Sequence, residues 1–499
     1  MIRIVICSIC ILFSQVVHTQ NFELSPGVRQ AYTQIINLQL DQAQLDIDSL
    51  KQTEPENLLV YQIENYIDFF RIFISEDKAL FERLEKNRSL RLDKIKTGDD
   101  QSPYYRFAQA EIYLQWVLAR SKFYDGKGIP DLKLITDLNK AYRLLEDNKK
   151  RFPDFVENYK SLSILHALGS YVPGFVQKLL NVNGSLQLGL DEIRTLIAEK
   201  ENTDYLFLQE AKAIEAYMLL HLFNQPEDAW TALQSADLHP DDSPLACFLL
   251  SSIAMKIGYT DYALELLKNK PTGEGRDTFH YLSYLEGKAL LQKGDEKARV
   301  AMHDFVDRFN GRHFIKDAYQ KLAWYELITT ENIAGYKKYM ALVEDKGIAV
   351  LEDDEQALVE AKSAVVPHPM LLQGRLLFDG GYYQLALEYL IEKQIYFEDD
   401  GRFKQEFTYR LGRIYQKLNE DKEAVYHFKS CLSFQKERNT FFSCNAALQL
   451  GLIFEKLADY PRAEVYFKSC RSIKSTVYRD QLHKKAKAGL ERISIGMNQ

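Results

Sequence analysis

Two stretches near the end of the sequence repeat the same pattern of small and large apolar residues. Leu411-Gly412, Tyr415, Leu418, Ala424 and Phe428 are followed by Leu450-Gly451, Phe454, Leu457, Ala463 and Phe467. Both copies then continue as Phe-Lys-Ser-Cys, at 428–431 and at 467–470. Two helices that cross closely need small residues at fixed offsets, and large apolar residues fill the space between pairs. The pattern therefore predicts stacked helix pairs that share one continuous core.

The same template recurs upstream in weaker form. One copy contains Gly374, Leu377, Gly381, Tyr383, Ala386 and Leu390, and another contains Ser251, Gly258, Ala263 and Leu267. The alanines predicted to lie at helix crossings are Ala229, Ala263, Ala298, Ala334, Ala386, Ala424 and Ala463. Their spacing stays between 34 and 39 residues except for a step of 52 after Ala334. That step leaves room for an extra helix, predicted over 351–365 and stopped by Pro367 and Pro369.

The first part of the chain is more degenerate. Ala43, Ile47 and Pro55 have the offsets of a second repeat helix, and Ala141, Leu145 and Pro153 repeat them. Turn-forming residues interrupt the helical pattern over 166–190, which includes Val172-Pro173-Gly174 and Asn183-Gly184. An insertion is expected there, either as a lid or as a rigid connector.

These residues resemble the tetratricopeptide-repeat (TPR) superfamily over about 205–345 and 367–473. In the N-terminal half, the runs 65–70 and 102–105 resemble exported, largely uncharacterised TPR proteins of bacteroidete bacteria. The pattern of Gly169, Pro173, Gly184 and Gly189 is also weakly similar to a eukaryotic TPR family linked to the outer mitochondrial membrane and inclusion clearance. The resemblance implies a scaffold or adaptor role and carries no catalytic residues over.

The expected fold class is all-α, a tetratricopeptide-like helix-turn-helix superhelical solenoid. The expected division of the chain is a signal peptide at 1–19, a degenerate helical-repeat domain at 20–200, TPR-like repeats at 201–345, an extra helix or linker at 346–366, and C-terminal TPR repeats at 367–499.

The first residues have the pattern of a secretory signal peptide. Arg3 precedes a mostly apolar run over 4–17, and small residues place the cleavage after Thr19, with Gln20 as the mature end. Cys7 and Cys10 lie inside the apolar run, so a lipoprotein cleavage is not expected. The chain is therefore expected to be exported, in the periplasm or associated with the outer membrane, with peripheral membrane contact possible. An uncleaved anchor is the alternative.

The charge of the chain argues against nucleic acid as the main partner. Removal of the signal leaves 62 basic and 70 acidic residues, a net charge of −8, whereas phosphate binding requires clustered cations. The basic run His483-Lys484-Lys485-Ala486-Lys487 is interpreted as a solvated helix face.

Four cysteines remain in the mature chain, Cys247, Cys431, Cys444 and Cys470. They form no CxxC pair and are too few and too scattered for a disulfide framework. Cys431 and Cys470 occupy equivalent positions in successive second helices. Neighbouring helix axes lie roughly 8–10 Å apart, so both are interpreted as buried small residues.

The sequence contains no HExxH motif, no GxSxG elbow and no GxxxxGK[ST] phosphate loop. No catalytic residue, metal site or cofactor is therefore predicted. Carboxylate pairs for sugar hydrolysis could still be assembled from the 70 acidic residues, so a helical glycosidase stays open.

The leading functional hypothesis is a non-catalytic binding scaffold or adaptor for a protein or peptide partner in the cell envelope. Repeat superhelices present a concave face lined mainly by first helices. The candidate contact residues beside the core positions are Arg410, Arg413, Gln416, Gln449 and Glu455. The alternative is a SusD-like glycan- or nutrient-binding protein of the outer membrane. The absent lipid cysteine and the presence of only Trp116, Trp230 and Trp324 count against it.

Overall fold

The computed structural model describes residues 20–125, 131–169, 184–363, 365–397, 401–434, 440–475 and 478–496. The expected signal peptide and most of the expected insertion, at 170–183, lie outside the described residues. The described part contains 24 α-helices and a single isolated β-bridge between Asn21 and Asn57. The expected all-α helical repeat fold is confirmed. None of the described helices is both long enough and apolar enough to cross a bilayer.

The contacts divide the chain into two compact units. The first contains residues up to Phe223 together with Gly273–Thr278, and the second contains Asn224–Thr272 and Phe279 onwards. The division between the units thus lies at 223/224, whereas the sequence pattern places the end of the degenerate N-terminal domain at residue 200. Residues 273–278 join the first unit because Arg276 and the Asp277 amide donate hydrogen bonds to the carbonyl oxygens of Asn37 and Leu38.

The first unit consists of consecutive antiparallel helix pairs. Its helices are α1 Pro26–Ile36, α2 Leu40–Thr53, α3 Leu59–Ser75, α4 Lys78–Ile95, α5 Pro103–Ser121, α6 Leu132–Arg151, α7 Tyr159–Gly169, α8 Leu186–Lys200 and α9 Leu208–Tyr217. Ala43 and Ala141, the small residues expected in second helices, are fully buried in α2 and α6. The spacing of small residues therefore holds even in this degenerate part.

Buried ion pairs connect the helices of the first unit. Arg91 on α4 donates to Glu64 at 3.0 Å and to Asp68 at 2.6 Å, both on α3. Lys160 on α7 donates to Glu111 on α5 at 2.6 Å and to Glu210 on α9 at 2.7 Å. Burial opposes the charge of Lys160, but the two carboxylates outweigh burial and raise its pKa. Such pairs specify which helices meet, since removal of one partner would leave a buried charge unpaired.

The second unit continues the repeat with a more regular pattern. Its helices are α10 Pro226–Gln234, α11 Pro244–Lys256, α12 Thr260–Lys268, α13 Tyr281–Lys293, α14 Ala298–Arg308, α15 Ile315–Thr330, α16 Ile333–Asp345, α17 Glu352–Ser363, α18 Pro369–Asp379, α19 Tyr383–Glu392, α20 Gly401–Lys417, α21 Asp421–Ser433, α22 Phe441–Lys456, α23 Tyr460–Ser472 and α24 Arg479–Gly496. The pairs α20/α21 and α22/α23 are the two aligned copies of the sequence. Helix α24 packs against both members of the last pair.

Each of the two aligned pairs is held by a glycine on its first helix and a phenylalanine on its second. A Cβ atom added at Gly412 would lie 2.7 Å from Phe428, and one added at Gly451 would lie 2.5 Å from Phe467. Both phenylalanines are fully buried, as are the crossing alanines Ala424 and Ala463 beside them. The helices therefore approach as closely as they do only because the glycines have no side chain.

The prediction of a crossing alanine at Ala334 is wrong. Ala334 is exposed, and the buried position in α16 belongs to Tyr336. Tyr336 packs with Trp324 of α15, and both donate to Glu360 of α17, the hydroxyl at 2.9 Å and the indole Nε1 at 2.8 Å. The indole N–H and the hydroxyl of these two large residues thus find their hydrogen-bond acceptor on the extra helix α17. The need for this helix explains why the repeat spacing is interrupted here.

Helix α17 also caps the start of α15. Phe314, the residue before α15, has a positive φ of 61° and supplies no side-chain cap. Asp354 of α17 accepts hydrogen bonds from the backbone amides of Phe314 at 2.7 Å and Asp317 at 3.1 Å. Its side chain is fully buried, and this burial raises the pKa of Asp354 to about 7.

We expect Gly451→Ala to destabilise the protein. An alanine normally stabilises a helix interior by about 0.5–1 kcal/mol relative to glycine, but the new methyl group would overlap Phe467. Overpacking of this kind costs about 1–3 kcal/mol. The free energy of unfolding in urea measures the effect, with Gln449→Ala on the same helix as the control. An increase in stability would show that the crossing has room for a side chain.

We expect Asp354→Asn to reduce the pH dependence of stability. The folded-state pKa lies above the ordinary value, so the contribution of this carboxyl is complete below about pH 4 and is lost as the pH rises through 7. Asparagine keeps one acceptor oxygen and cannot ionise. The thermal midpoint of the variant should therefore fall less than that of the wild type between pH 5 and pH 8. The control is Asp353→Asn, at the half-exposed neighbouring position. An equal fall of the thermal midpoint between pH 5 and pH 8 in all three proteins would contradict the expectation.

Candidate functional site

Helices α20 and α22 are the first helices of the two aligned repeats, and they pack side by side. Arg413 and Gln416 lie one turn apart on α20, and Gln449 lies on α22. The structure brings these three sequence-predicted residues together at one surface cavity of about 490 Å³. We call it the α20–α22 pocket. Its lining consists of Arg413, Gln416, Lys417, Asn419, Asp421, Gln449, Leu452, Ile453 and Lys456.

A chain of hydrogen bonds between the two helices orients the polar wall of the α20–α22 pocket. Tyr409 of α20 accepts from Arg413 at 3.3 Å and from the Asn445 amide of α22 at 2.7 Å. Asn445 in turn accepts from Gln449 at 2.9 Å. Tyr409 and Asn445 are buried, so the chain fixes its two ends, Arg413 and Gln449, at the pocket.

Arg413 retains unused hydrogen-bonding capacity. Its guanidinium lies over the ring of Phe378, 5.3 Å from the ring centroid, and the contact supports the cation from one side. Its Nε atom is buried without a hydrogen-bond partner among the described residues. No carboxylate in the described part of the chain lies within ion-pair distance of Arg413. The side chain is therefore held in place while its charge is not neutralised.

Another residue of the pocket, Asp421, has an acceptor atom without a partner in the part of the chain that the structure describes. Asp421, the first residue of α21, pairs with Lys456 of α22 through Oδ2 at 2.9 Å. Its Oδ1 is buried and has no partner in the described residues. Buried polar atoms in folded proteins are nearly always satisfied by protein, water or ligand. Two residues that line the α20–α22 pocket thus each have one buried polar atom without a partner in the described residues, a donor on Arg413 and an acceptor on Asp421.

The structure places the other two candidate contact residues outside this pocket. Arg410 bonds Glu406 one turn earlier on its own helix. Glu455 accepts two hydrogen bonds from Arg492 of α24, at 2.7 and 2.8 Å. Both side chains are therefore engaged within the chain, and partner contact through them stays a prediction.

Two lysines of the pocket are not among the residues predicted from the sequence. Lys417 and Lys456 follow Gly412 and Gly451 at the same offset, so they are equivalent residues of the two aligned copies. Lys417 lies 5.9 Å from the ring centroid of Tyr383. The recurrence of a lysine at the same position of both first helices is the sequence feature that indicates these two residues.

A second surface cavity of about 490 Å³ lies between α23 and α24. It is lined by Lys468, Arg471, Ser472, His483, Lys484 and Lys487, and so contains much of the basic run seen in the sequence. Lys468 and Lys487 pair with glutamates on their own helices. His483 Nε2 lies 3.0 Å from the carbonyl oxygen of Ile473. Part of the positive charge of this surface is therefore neutralised by glutamates on the same helices.

The tryptophans do not form an exposed platform. Trp116 and Trp324 are each 2% exposed and belong to the cores of their units. Trp230 is half-buried, and the rings of Tyr259 and Tyr262 meet it edge-on at 5.7 and 5.3 Å. A glycan platform of the SusD type thus finds no support from these residues.

No cluster of three or more His, Cys, Asp or Glu side chains with metal-binding geometry occurs in the part of the chain that the structure describes. His427, the histidine inside a repeat copy, stacks on Tyr415 at 5.3 Å between ring centroids. Burial lowers the pKa of His427 below its ordinary value. This histidine therefore packs between the two helices of one repeat.

No protein-family model matches the chain, and no curated protein matches its sequence. Similar solved structures include the human IFIT1 dimer with m7Gppp-AAAA, 14% identical, with 95% of this chain and 91% of that chain covered and a TM-score of 0.30. The APC/C hetero-tetramer Cut9-Hcn1 is 13% identical, with 91% and 95% covered and a TM-score of 0.29. Naa15/Naa10 bound to HypK-THB is 12% identical, with 94% and 79% covered and a TM-score of 0.23. The helix pairs and their crossings, described above, are the basis of the fold assignment.

Proposed function

We propose that this chain is a non-catalytic scaffold that binds an extended peptide segment of a protein partner in the α20–α22 pocket. One observation carries the proposal: Arg413 and Asp421 line the same pocket, and each has a buried polar atom, Nε and Oδ1, without a hydrogen-bond partner among the described residues. A peptide group has one carbonyl acceptor and one amide donor. After a small rotation of either side chain, a bound backbone would satisfy both atoms.

The charges of the pocket favour an acidic segment. Arg413 and Lys417 have no carboxylate partner in the described residues, while Lys456 is neutralised by Asp421. An incoming carboxylate would therefore meet two uncompensated cations, and arginine binds carboxylates through two parallel hydrogen bonds. Gln416 and Gln449 add neutral donors and acceptors along the same wall. The partner segment we propose thus contains Asp or Glu side chains beside a backbone in extended conformation.

We expect Arg413→Glu to weaken binding of short acidic peptides about tenfold or more. The change removes a charge-assisted hydrogen bond of about 1.5–3 kcal/mol and adds like-charge repulsion. Fluorescence anisotropy with purified protein and peptides of equal length, acidic or basic, measures the affinity.

The matched control is Lys429→Glu, which makes the same change of charge on the exposed side of the second helix α21. It should leave the affinity within about twofold, since exposed charges at a distance are screened. Equal losses in both variants, or no preference for acidic over basic peptides, would refute a role for the α20–α22 pocket.

The location we propose is the cell envelope, in the periplasm or at the outer membrane. The support is the signal-like pattern of residues 1–19. The protein isolated from cells that produce it should begin at Gln20 and fractionate with the envelope. Protein that begins at Met1 and fractionates with the cytoplasm would contradict export.

A further inference from the structure

Two buried cysteines meet where the last helix pair crosses. Cys444 of α22 and Cys470 of α23 are fully buried, and their Sγ atoms lie 3.6 Å apart. Cys444 Sγ also lies 3.5 Å from the carbonyl oxygen of Cys470. All four cysteines of the described chain are free thiols, and the other two, Cys247 and Cys431, have no sulfur neighbour at this distance.

The preceding repeat shows that this sulfur pair is not imposed by the fold. Cys431 is the repeat equivalent of Cys470, but the equivalent of Cys444 is Gln405. Gln405 donates to the carbonyl oxygen of Cys431 at 3.3 Å, the same backbone contact that Cys444 makes with Cys470. The position therefore accepts a polar residue, and the last repeat differs by placing a second thiol there.

We propose that Cys444 and Cys470 form an intramolecular disulfide that links α22 to α23. A disulfide requires an S–S distance of about 2.05 Å, so the two sulfur atoms must approach by about 1.5 Å through side-chain rotation and a slight shift of the helices. The close approach of these helices at Gly451 brings their backbones near one another on the same side of the pair.

The chemistry is thiol–disulfide exchange with a disulfide-bearing oxidant, RSSR. Only a thiolate is nucleophilic, so the exchange begins at the ionised form of one of the two cysteines, here Cys444. Its thiolate attacks one sulfur of RSSR, forms a mixed disulfide and releases RS⁻. The Cys470 thiolate then attacks Cys444 Sγ and displaces the second RS⁻. In total the two cysteines lose two electrons and two protons, and RSSR becomes two RSH.

Helix α24 determines when the exchange can occur. Cys470 Sγ lies 3.8 Å from the carbonyl oxygen of Leu482, in α24. Helix α24 packs on both α22 and α23, so an oxidant reaches the thiols only before this terminal helix docks or when it opens. An oxidising compartment, such as the exported location proposed above, would supply RSSR during folding. Once formed, the disulfide would be shielded from reductants by the same helix.

The experiment starts from the full chain unfolded in urea under reducing conditions. The protein is refolded with oxidised glutathione, free thiols are alkylated, and unreduced peptides are analysed by mass spectrometry. We expect a Cys444–Cys470 link, with Cys247 and Cys431 alkylated. Complete alkylation of Cys444 and Cys470, or a Cys431–Cys470 link, would overturn the proposal. The result does not depend on the peptide-binding function or on the location of the protein in the cell.

A second measurement tests whether the link forms in the native fold. Oxidised wild-type protein should unfold at a temperature a few degrees above the reduced protein, because the cross-link restricts the unfolded chain. Cys444→Ala and Cys470→Ala should each abolish this difference. Cys431→Ala, at the equivalent buried position of the preceding repeat, should preserve it. An oxidation-dependent shift that survives Cys470→Ala would also overturn the proposal.

Discussion

The contact between a glycine and a bulky side chain sets the geometry of the last two helix pairs of the second unit. Gly412 faces Phe428, and Gly451 faces Phe467 from one side while Gly489 of α24 meets it from the other. Any Cβ atom at these glycines would force the helices apart. Because the approach is close, the first helices α20 and α22 also come side by side, and the α20–α22 pocket forms between them. The same approach brings the Cys444 and Cys470 sulfur atoms into contact.

The crossing between α15 and α16 is packed differently, and this difference explains the extra helix α17. At α15/α16 the small residues are replaced by Trp324 and Tyr336, whose polar groups both need a partner in the interior. Glu360 of α17 supplies it, and Asp354 of the same helix caps α15. The additional helix is thus part of the packing of this pair rather than a linker between repeats.

Buried charges connect helices of the first unit in addition to its small residues. Arg91 and Lys160 each hold two carboxylates from other helices. Desolvation makes such pairs costly unless every charge is matched, so they select one arrangement of α3, α4, α5, α7 and α9. Helix periodicity cannot indicate these partners, because each pair joins residues far apart in the sequence whose proximity depends on how the helices stack.

The sequence by itself determined the helix pairs and the crossing residues wherever the pattern was local. Gly451, Ala463 and Phe467 lie close together along the chain, and their offsets alone specify which faces meet. The prediction of Ala334 as the crossing residue is wrong because residue spacing cannot show that Tyr336 fills this crossing. The hydroxyl of Tyr336 bonds to Glu360 of the later helix α17. Of the candidate contact residues, only the tertiary structure decided that Arg413 and Gln449 share a pocket while Glu455 is held by Arg492. The physical reason is that hydrogen bonds and ion pairs between side chains of different helices depend on how the helices pack. The formation of a helix pair, by contrast, depends on the local spacing of small and large residues.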